Sequence, residues 1–306
     1  MNVFITGGAG YIGTELAGLL LANPQVEKVV VYDNLSRLNY NLFLGQRLPG
    51  SERLSFIKGE LLDSRALRKA LKGMDIVYHL AAKATTPFAN TDAHVYEQVN
   101  HWGTAELVYA LEESDVKRLI YTSSTGVYGA ANEPATEATA ADPQTLYAIS
   151  KLRGEEHVRR LGSRLDTYIM RCGNTYGYSR SMRFDAVINK FAFETNFNKR
   201  ISIQGDGKQW RSFIHIDALT QGLANLLNAT LPAGTYNLTQ QNLRVIEILD
   251  ALKELVPDLE FLFINQHLRL QELRVQANEA VNKALGIPAA APLKDDLAAF
   301  LQKFSF

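Results

Sequence analysis

The sequence contains one cysteine and no excess of either charge. These two features argue against a disulfide-bonded protein, a cysteine-bound metal and a nucleic-acid partner. Because Cys172 is alone among 306 residues, the chain can form no internal disulfide and no cysteine cluster for a metal. None of the six histidines shows metal-ligand spacing, so we predict no metal site. Lys and Arg together number 32, as do Asp and Glu, and this balance does not favour nucleic acid as a partner.

Long apolar runs are also missing. No run approaches the ~20 residues that a membrane-spanning helix needs, so we expect no membrane partner. The chain enters a predicted strand directly, without a basic region and a cleavage site, and we expect a cytoplasmic protein without a signal peptide. The composition, 46% hydrophobic and 21% charged, is typical of a globular enzyme with one large domain and a smaller lobe, or with two domains.

The first thirty-three residues form the clearest pattern of the chain. An apolar strand over residues 2–6 is followed by Gly7-Gly8-Ala9-Gly10-Tyr11-Ile12-Gly13, an apolar helical stretch, and a second strand that ends at Asp33. Glycines permit a tight turn and let backbone N–H groups approach a pyrophosphate, which the N-terminus of the following helix attracts. A carboxylate at Asp33 accepts hydrogen bonds from ribose hydroxyls and repels a 2′-phosphate, which favours NAD. The nearby Arg37 keeps NADP as the alternative.

Strand and helix patterns alternate through the first half of the chain. This predicts an α/β fold with a Rossmann-type, doubly wound parallel sheet. Beyond residue 173 the pattern loosens, so we predict an NAD-binding domain over 1–172 and mainly a smaller C-terminal α/β substrate lobe over 173–306, with a soft boundary that the chain can cross again. Predicted strands cover 54–58, 75–79, 118–122, 167–171, 201–203, 213–215 and 236–238, and predicted helices cover 64–72, 92–113 and 146–161.

Several other residues receive structural interpretations. Residues 130–145 are rich in Ala, Glu, Thr and Pro and predict a surface loop over the site. The phenylalanines between 184 and 197 have helical spacing, and we interpret them as core rather than as a ligand cage. His79 and His215 end predicted strands and are interpreted as structural, and Cys172 is interpreted as a small buried residue.

Two stretches carry side chains suited to catalysis. Tyr147 and Lys151 are four residues apart on a predicted helix and share a face. A phenol titrates near ~10, and a neighbouring ammonium favours its phenolate, which allows Tyr147 to act as a base. Alone, this spacing equally fits an ordinary helix with a half-buried Tyr and a solvated Lys. The Ser- and Thr-containing run over 123–129 follows a strand, where a hydroxyl can either bind a substrate alcohol or cap the strand.

Together these motifs resemble those of the extended short-chain dehydrogenases/reductases. The resemblance is strongest to the NAD-dependent sugar-nucleotide epimerase/dehydratase family, including its UDP-glucose 4-epimerase-like members, and it covers most of the chain. It is carried by residues 6–13, 33–36, 79–82, Asn100 with Gly103 and Thr104, 124–129, Tyr147 with Lys151, Arg171, Asn174, 176–177, 205–207, Arg211 and 213–217.

The resemblance implies catalytic, cofactor-binding and substrate-binding sets. Tyr147 would be the base, Lys151 its electrostatic partner and ribose clamp, and Ser124 the anchor of the substrate hydroxyl. Asn100 would stand behind the site, and Glu60, where relatives have Asp, would accept a hydrogen bond from the adenine amino group. The implied cofactor-binding set is Gly7, Gly10, Tyr11, Ile12, Gly13, Asp33, Asn34, Glu60, Leu61, Leu80, Ala81, Ala82, Asn100, Tyr147 and Lys151. The implied substrate-binding set is Ser124, Thr125, Asn174 and Arg211.

Departures from the family pattern bear on the reaction. Sugar-nucleotide 4,6-dehydratases carry an acidic pair directly after the catalytic hydroxyl residue, where this chain has Thr125 and Gly126, and this disfavours dehydration. Ser212 and Tyr178 replace a common Asp and Pro on the substrate side, so the sugar and its nucleotide stay open.

The resemblance therefore implies an isomerase: NAD-dependent epimerisation of a nucleotide sugar through a transient keto intermediate. One alternative is an oxidoreductase, a net NAD(P)-dependent dehydrogenase or reductase of a keto-sugar nucleotide or related small alcohol. Another is a catalytically silent NAD-binding protein. The resemblance also implies a homodimer formed by the helices predicted over 92–113 and 146–161.

Overall fold

The computed structural model describes residues 1–84, 93–131, 133–265 and 272–305. Among these residues the strands are β1 (Asn2–Thr6), β2 (Lys28–Asp33), β3 (Leu54–Lys58), β4 (Ile76–His79), β5 (Arg118–Ser124), β6 (Asp166–Cys172), β7 (Asn174–Tyr176), β8 (Arg200–Gln204), β9 (Trp210–His215), β10 (Gly234–Leu238), β11 (Gln241–Arg244) and β12 (Glu260–Ile264). The helices are α1 (Tyr11–Ala22), α2 (Ser64–Ala70), α3 (Ala93–Tyr96), α4 (Gly103–Glu112), α5 (Leu146–Arg159), α6 (Val187–Asn198), α7 (Ile216–Asn225), α8 (Val245–Leu255), α9 (Glu279–Ala284) and α10 (Leu293–Leu301). A π-helical segment, Glu97–Trp102, joins α3 to α4.

Seven parallel strands form the central sheet in the order β10-β6-β5-β4-β1-β2-β3. In β1, Val3 and Ile5 pack on one face of the sheet and Phe4 packs on the other, and all three are fully buried. Helices α1 and α7 cover the first face, while α2, α4 and α5 cover the second. Burial on both faces explains the continuous apolar runs of these strands, and it confirms the predicted doubly wound α/β fold.

The strand order reverses beside β1, and this position locates the site. Thr6, the last residue of β1, is in register with Tyr32 of β2 on one side and with His79 of β4 on the other. In open α/β sheets a ligand binds outside the carboxyl ends of the strands at such a reversal. The glycine run, Asp33 and the residues after His79 all follow these carboxyl ends.

The C-terminal part builds a second core and also returns to the central sheet. Strands β7, β9 and β11 form one small sheet and β8 and β12 another, and residues of α6, α8 and α10 pack with them around Ile188, Leu249 and Leu297. Strand β10 pairs in parallel with β6. The division at residue 172 stays a prediction, and α7, α9 and β10 lie after it and pack against or join the central sheet.

The predicted helix over 92–113 is not one regular helix. Residue 92 lies outside the described residues, and from residue 93 onward α3, the π-helical segment and α4 follow one another. The predicted loop over 130–145, described except for residue 132, is docked by a parallel bridge between Ala135 and Val275. None of the described helices is both long and apolar enough to cross a membrane.

The interpretation of the phenylalanines between 184 and 197 as core is wrong for three of them. Phe184, Phe193 and Phe197 are 44%, 37% and 36% exposed, whereas Phe191 is buried. The exposed rings contact one another, with centroids 4.9 Å apart for Phe184 and Phe193, and Phe197 lies against Phe304. Helical spacing identified a shared face, but this face meets other aromatic rings at the surface instead of the core.

Candidate active site

The glycine turn between β1 and α1 is too crowded for side chains. Gly7 has a left-handed backbone (φ 71°) and donates its N–H to the carbonyl of Tyr32 at 2.9 Å, while Gly10 donates to the carbonyl of Gly7 at 3.1 Å. A Cβ on Gly13 would stand 2.5 Å from the Gly7 oxygen, and a Cβ on Gly7 would stand 2.6 Å from the backbone of Ala81. The turn is therefore a bare backbone cradle at the N-terminus of α1, a shape that fits a pyrophosphate.

The predicted adenosine-side residues lie together beside this cradle. Asp33 accepts the N–H of Ala9 at 3.0 Å with one oxygen and the N–H of Leu35 at 2.8 Å with the other. These bonds orient the carboxylate at the glycine turn. Asn34 Nδ2 donates to Glu60 Oε2 at 3.0 Å, which joins the ends of β2 and β3. The remaining predicted cofactor residues on this edge are Leu61, which is buried, and Ile12, Leu80 and Ala82, which are partly exposed.

Helix α5 carries two of the predicted catalytic residues, and β5 carries the third. The side chain of Thr145 caps α5, so Tyr147 lies in its first turn and Lys151 lies one turn later. The Tyr147 hydroxyl lies beside Ser124, the last residue of β5, which acts to lower the pKa of the phenol. Ser124 Oγ accepts the N–H of Gly126 at 3.1 Å, which leaves its own proton for the phenol.

Burial is the largest effect on the pKa values of Tyr147 and Lys151. It raises the pKa of Tyr147, and the charge of Arg183 is the largest opposing effect. Burial also lowers the pKa of Lys151 to about 7, opposed by Cys172 and Glu155. In the protein alone, desolvation of the phenol outweighs the charge of Arg183, so the net change in the pKa of Tyr147 is upward.

Arg183 is a residue of this site that the sequence motifs did not indicate. Its Nε and Nη2 each donate to a carboxylate oxygen of Asp185 at 3.1 Å, and Arg37 reaches the same carboxylate at 3.3 Å. Asn189 Nδ2 donates to the carbonyl of Arg183 at 3.0 Å and to the hydroxyl of Tyr11 at 3.2 Å. These bonds tie the Arg183 segment to the start of α1, which places its charge near Tyr147.

Asn100 is fully buried in the π-helical segment, beside α5. Its Oδ1 accepts the N–H of Lys83 at 2.7 Å, and its Nδ2 donates to the carbonyl of Lys83 and to Ser150 Oγ, both at 3.0 Å. Ser150 in turn donates to the carbonyl of Tyr147 at 2.8 Å. Asn100 therefore connects the chain leaving β4 to the first turn of α5.

The predicted substrate residues form two groups. Thr125 is buried directly after Ser124. Asn174 and Arg211 lie on the neighbouring strands β7 and β9, where Asn174 Nδ2 donates to the carbonyl of Ser212 at 3.0 Å. Burial lowers the pKa of the Arg211 guanidinium, an effect that the carboxylate of Glu272 opposes.

Two further arginines, which the motifs did not single out, lie against Trp210, the residue before Arg211. The guanidinium carbons of Arg244 and Arg274 are 4.8 Å and 5.8 Å from the ring centre of Trp210. The indole at the start of β9 therefore holds these two arginines together by cation–π contacts. These arginines come from β11 and from the segment after residue 272, so their approach depends on the folded chain.

Cys172 ends β6 and is buried, as interpreted from the sequence. Burial raises the pKa of its thiol to about 12, against the smaller opposing effect of Lys151. Since the thiolate is the reactive species, we expect iodoacetamide at pH 8 to label the folded protein roughly 10³-fold more slowly than the urea-unfolded chain. Mass spectrometry of this single-cysteine chain measures both rates, and similar rates would contradict the buried thiol.

His79 is fully buried in a chain of hydrogen bonds, as its structural interpretation requires. Its Nδ1 lies 2.6 Å from Thr6 Oγ1, and its Nε2 lies 2.9 Å from Thr104 Oγ1. Thr104 donates its proton to the carbonyl of Asn100 at 2.6 Å, so it accepts from His79 Nε2–H. The neutral imidazole therefore links β1, β4 and α4 behind the cofactor cradle.

Acid should destabilise the fold through His79. Burial, and secondarily the charge of Lys151, lowers its pKa from 6.5 to about 3. The unfolded chain binds a proton below pH 6.5 and the folded chain does not, so this stability is complete above pH 6.5 and declines towards pH 3, by up to roughly 4 kcal/mol. Urea unfolding across this range should show a shallower pH dependence in His79→Gln, and equal slopes would contradict the assignment.

Among the described residues, no three His, Cys, Asp or Glu side chains converge as metal ligands. His267 lies outside the described residues. The ring of His215 packs on Gly177, where a Cβ would stand 2.5 Å from its Nε2.

Comparison with known proteins agrees with this geometry. The model of the NAD dependent epimerase/dehydratase family matches residues 3–239. The dTDP-D-glucose 4,6-dehydratase of Mus musculus is 29% identical over 265 residues, which cover 84% of this chain and 73% of the relative.

Two solved structures match the chain over nearly its whole length. MoeE5 in complex with UDP-glucuronic acid and NAD is 26% identical, with a TM-score of 0.84 and coverage of 99% of this chain and 98% of that one. The UDP-glucuronic acid 4-epimerase from Bacillus cereus in complex with NAD is 25% identical, with a TM-score of 0.84 and coverage of 99% and 96%. Both are bound to NAD, the cofactor that the glycine cradle and Asp33 fit.

Proposed function

Because the chain belongs to the NAD dependent epimerase/dehydratase family, we propose that it epimerises a nucleotide sugar through a transient keto intermediate, with NAD as its cofactor. The observation that carries this proposal is the placement of Ser124 beside the Tyr147 hydroxyl, one helical turn before Lys151. A hydroxyl, a phenol and an ammonium in this order suit the removal of a proton from a sugar alcohol.

Each of the three side chains has a distinct task. Ser124 holds the oxygen of the sugar hydroxyl, and Tyr147 removes its proton while the carbon loses hydride, so that a ketone forms. Lys151, when protonated, favours the phenolate and binds the nicotinamide ribose. NAD, when bound, supplies the redox chemistry by accepting the hydride and returning it to the other face of the sugar. Tyr147 then returns the proton to the oxygen, and the configuration at carbon is inverted.

The cofactor is assigned to the residues around the glycine turn. The bare backbone from Gly7 to Gly13 would hold the pyrophosphate, and Asp33 would accept hydrogen bonds from the adenosine ribose. Arg37 supports NAD over NADP, because its guanidinium pairs with the carboxylate of Asp185 at 3.3 Å. A guanidinium held there is not directed at a 2′-phosphate.

Arg211 on β9 supports a nucleoside diphosphate sugar as the substrate. MoeE5 binds UDP-glucuronic acid, and the name of the mouse relative specifies dTDP-glucose. Both ligands carry a diphosphate, which the planar fork of an arginine binds with two hydrogen bonds. Arg211 supplies this chemistry, and Asn174 lies on the neighbouring strand.

Two positions support epimerisation over dehydration. The mouse relative is named as a 4,6-dehydratase, and elimination of water needs an acid at the sugar. Thr125 and Gly126, directly after Ser124, carry no acidic side chain, and Gly126 instead donates its backbone N–H to Ser124. The site thus has the side chains proposed for oxidation of the sugar, but it lacks the acidic pair that the 4,6-dehydratases carry after the catalytic hydroxyl residue.

The test is incubation of the purified protein with UDP-, dTDP- and GDP-hexoses, without added cofactor, followed by NMR. We expect C4 inversion of at least one sugar at catalytic turnover, because NAD is regenerated in each cycle. The Tyr147→Phe protein, carrying the same amount of NAD, serves as the control for contaminating activity.

Other outcomes of this experiment would contradict the proposal. A 4-keto-6-deoxy product would identify a dehydratase, and NADH formed in proportion to product would identify a net dehydrogenase. No reaction with any nucleotide sugar, although NAD is bound, would favour a catalytically silent protein.

We also propose a homodimer in which α4 and α5 of each copy pack together. Trp102, at the junction with α4, is 52% exposed, and its ring stacks on His101 at 4.7 Å. A second copy on this face would cover the indole. Light scattering should give twice the chain mass of 34.1 kDa, and a mass equal to one chain would contradict the dimer.

A further inference from the structure

A buried carboxylate, Glu155, lies one helical turn beyond Lys151 on α5 and has no task in the proposed reaction. Its side chain is fully buried. Ser123 donates to Oε1 at 2.5 Å, and Arg171 donates with Nε to Oε1 at 3.0 Å and with Nη2 to Oε2 at 2.7 Å. Arg159, on the solvent side, donates to Oε2 at 2.6 Å.

These bonds join α5 to the two strands that carry site residues. Ser123 directly precedes Ser124 at the end of β5, and Arg171 directly precedes Cys172 at the end of β6. Arg171 also lies 4.7 Å from the ring centre of Tyr128, so its guanidinium is enclosed on a further side. Glu155 therefore fixes the position of α5 against the strand ends where Ser124 must meet Tyr147.

The same carboxylate is a counter-charge for the buried Lys151. Lys151 is 2% exposed, and its Nζ lies 4.1 Å from the ring centre of Tyr121. The titratable groups that contact or act on it are Glu155 from α5, Tyr121 from β5, Cys172 from β6 and His79 from β4, and Arg171 of β6 is paired with Glu155. A buried ammonium is costly without an opposite charge, and Glu155 is the carboxylate in this set.

The thiol of Cys172 cannot take over this role. Burial lowers the pKa of Lys151 to about 7, and Cys172 and Glu155 both oppose the effect. However, burial raises the pKa of Cys172 to about 12, so the thiol is neutral where Lys151 titrates. The negative charge that acts on Lys151 in this range belongs to Glu155.

We propose that Glu155 is a positioning residue that, together with Arg171, holds α5 on the strand ends and keeps Lys151 protonated beside Tyr147. This inference rests on the proposed Ser124–Tyr147–Lys151 chemistry. The protonated state of Lys151 is thereby attributed to a residue that would contact neither substrate nor cofactor.

Two substitutions with opposite electrostatic effects test it. Glu155→Gln removes the counter-charge and lowers the pKa of Lys151, so the alkaline limb of kcat/KM against pH should move down by about one unit or more. Arg171→Gln removes a like charge, so the same limb should move up. Glu156→Gln removes a solvent-exposed carboxylate one residue away and should leave the limb in place. The pH at which kcat/KM falls on the alkaline side is a midpoint, so it does not depend on how much of a destabilised variant is folded.

A measurement without substrate separates this inference from the proposed function. The phenolate absorbance of Tyr147 near 295 nm is obtained by subtracting the titration of Tyr147→Phe from that of the parent protein, each with bound NAD. In the Glu155→Gln background a neutral Lys151 should raise the phenol midpoint by about one unit. The proposal would be overturned if neither the alkaline limb of kcat/KM nor the phenol midpoint moves, even if the proteins are less stable. It would also be overturned if the limb moves in the same direction in Glu155→Gln and Arg171→Gln. If no sugar is turned over, the phenol midpoint alone decides.

Discussion

Tyr147→Phe should lower kcat roughly 10³-fold or more while the protein still binds NAD. Phenylalanine keeps the ring in its place on α5 and removes the hydroxyl that lies beside Ser124. Proton transfer to a positioned side chain has no substitute at this point, because the neighbouring Ser124 is a far weaker base. Steady-state assays with the nucleotide sugar that the NMR experiment identifies would measure the loss.

Two measurements show whether this loss is chemical. The melting temperature with saturating NAD should change little, because one buried hydrogen bond contributes only about 1 kcal/mol. NAD titration should give a similar dissociation constant in both proteins. If the variant keeps most of its activity, Tyr147 is not the base, and the proposed mechanism fails with it.

Gly13→Ala should remove NAD binding and destabilise the protein. The new Cβ would stand 2.5 Å from the carbonyl oxygen of Gly7 and 2.6 Å from the Cα of Gly8. Both are backbone atoms of the cradle, so the clash cannot be relieved by moving a flexible side chain. Such overpacking costs about 3 kcal/mol, and the same loss in binding corresponds to a roughly 100-fold weaker NAD affinity.

Gly162→Ala is the matched control for this prediction. A Cβ at Gly162 would have its nearest neighbour at an ordinary 3.7 Å, the hydroxyl oxygen of Thr167. Its unfolding free energy should therefore stay within about 0.5 kcal/mol of the parent. Calorimetric titration with NAD, together with thermal unfolding, measures both variants. A Gly13→Ala protein that binds NAD normally would show that the cradle can open.

The central sheet was predictable because its signals are local. Each buried parallel strand appears as an apolar run, and β3 begins and ends where the sequence predicts. The cofactor-binding residues were equally predictable, since Gly7, Gly13 and Asp33 lie in one short stretch. The glycines meet a requirement of the backbone, and Asp33 meets a requirement for charge. The placement of Tyr147 and Lys151 one turn apart on the same helix followed from helical spacing.

Features that depend on distant parts of the chain were not predictable. Arg183 gains its place from bonds between its segment and the start of α1, through Asn189 and Tyr11. The helical spacing of the phenylalanines specified a face but not what covers it. The sign of the change in the pKa of Tyr147 required the depth of its burial, a property of the folded chain.

The π-helical segment Glu97–Trp102 has a consequence for insertions and deletions. A π turn is an α-helix that has accommodated one additional residue, and each residue rotates a helix by about 100°. Upstream of the extra residue, Asn100 must face Ser150, and downstream, Leu107 and Leu111 must face the core. Deleting one residue here would convert the π turn into a regular α-helical turn. It would also rotate one of these two sets of side chains away from its partners. The segment therefore fixes the chain length of this helix, so a viable deletion would need a compensating insertion before α4 ends.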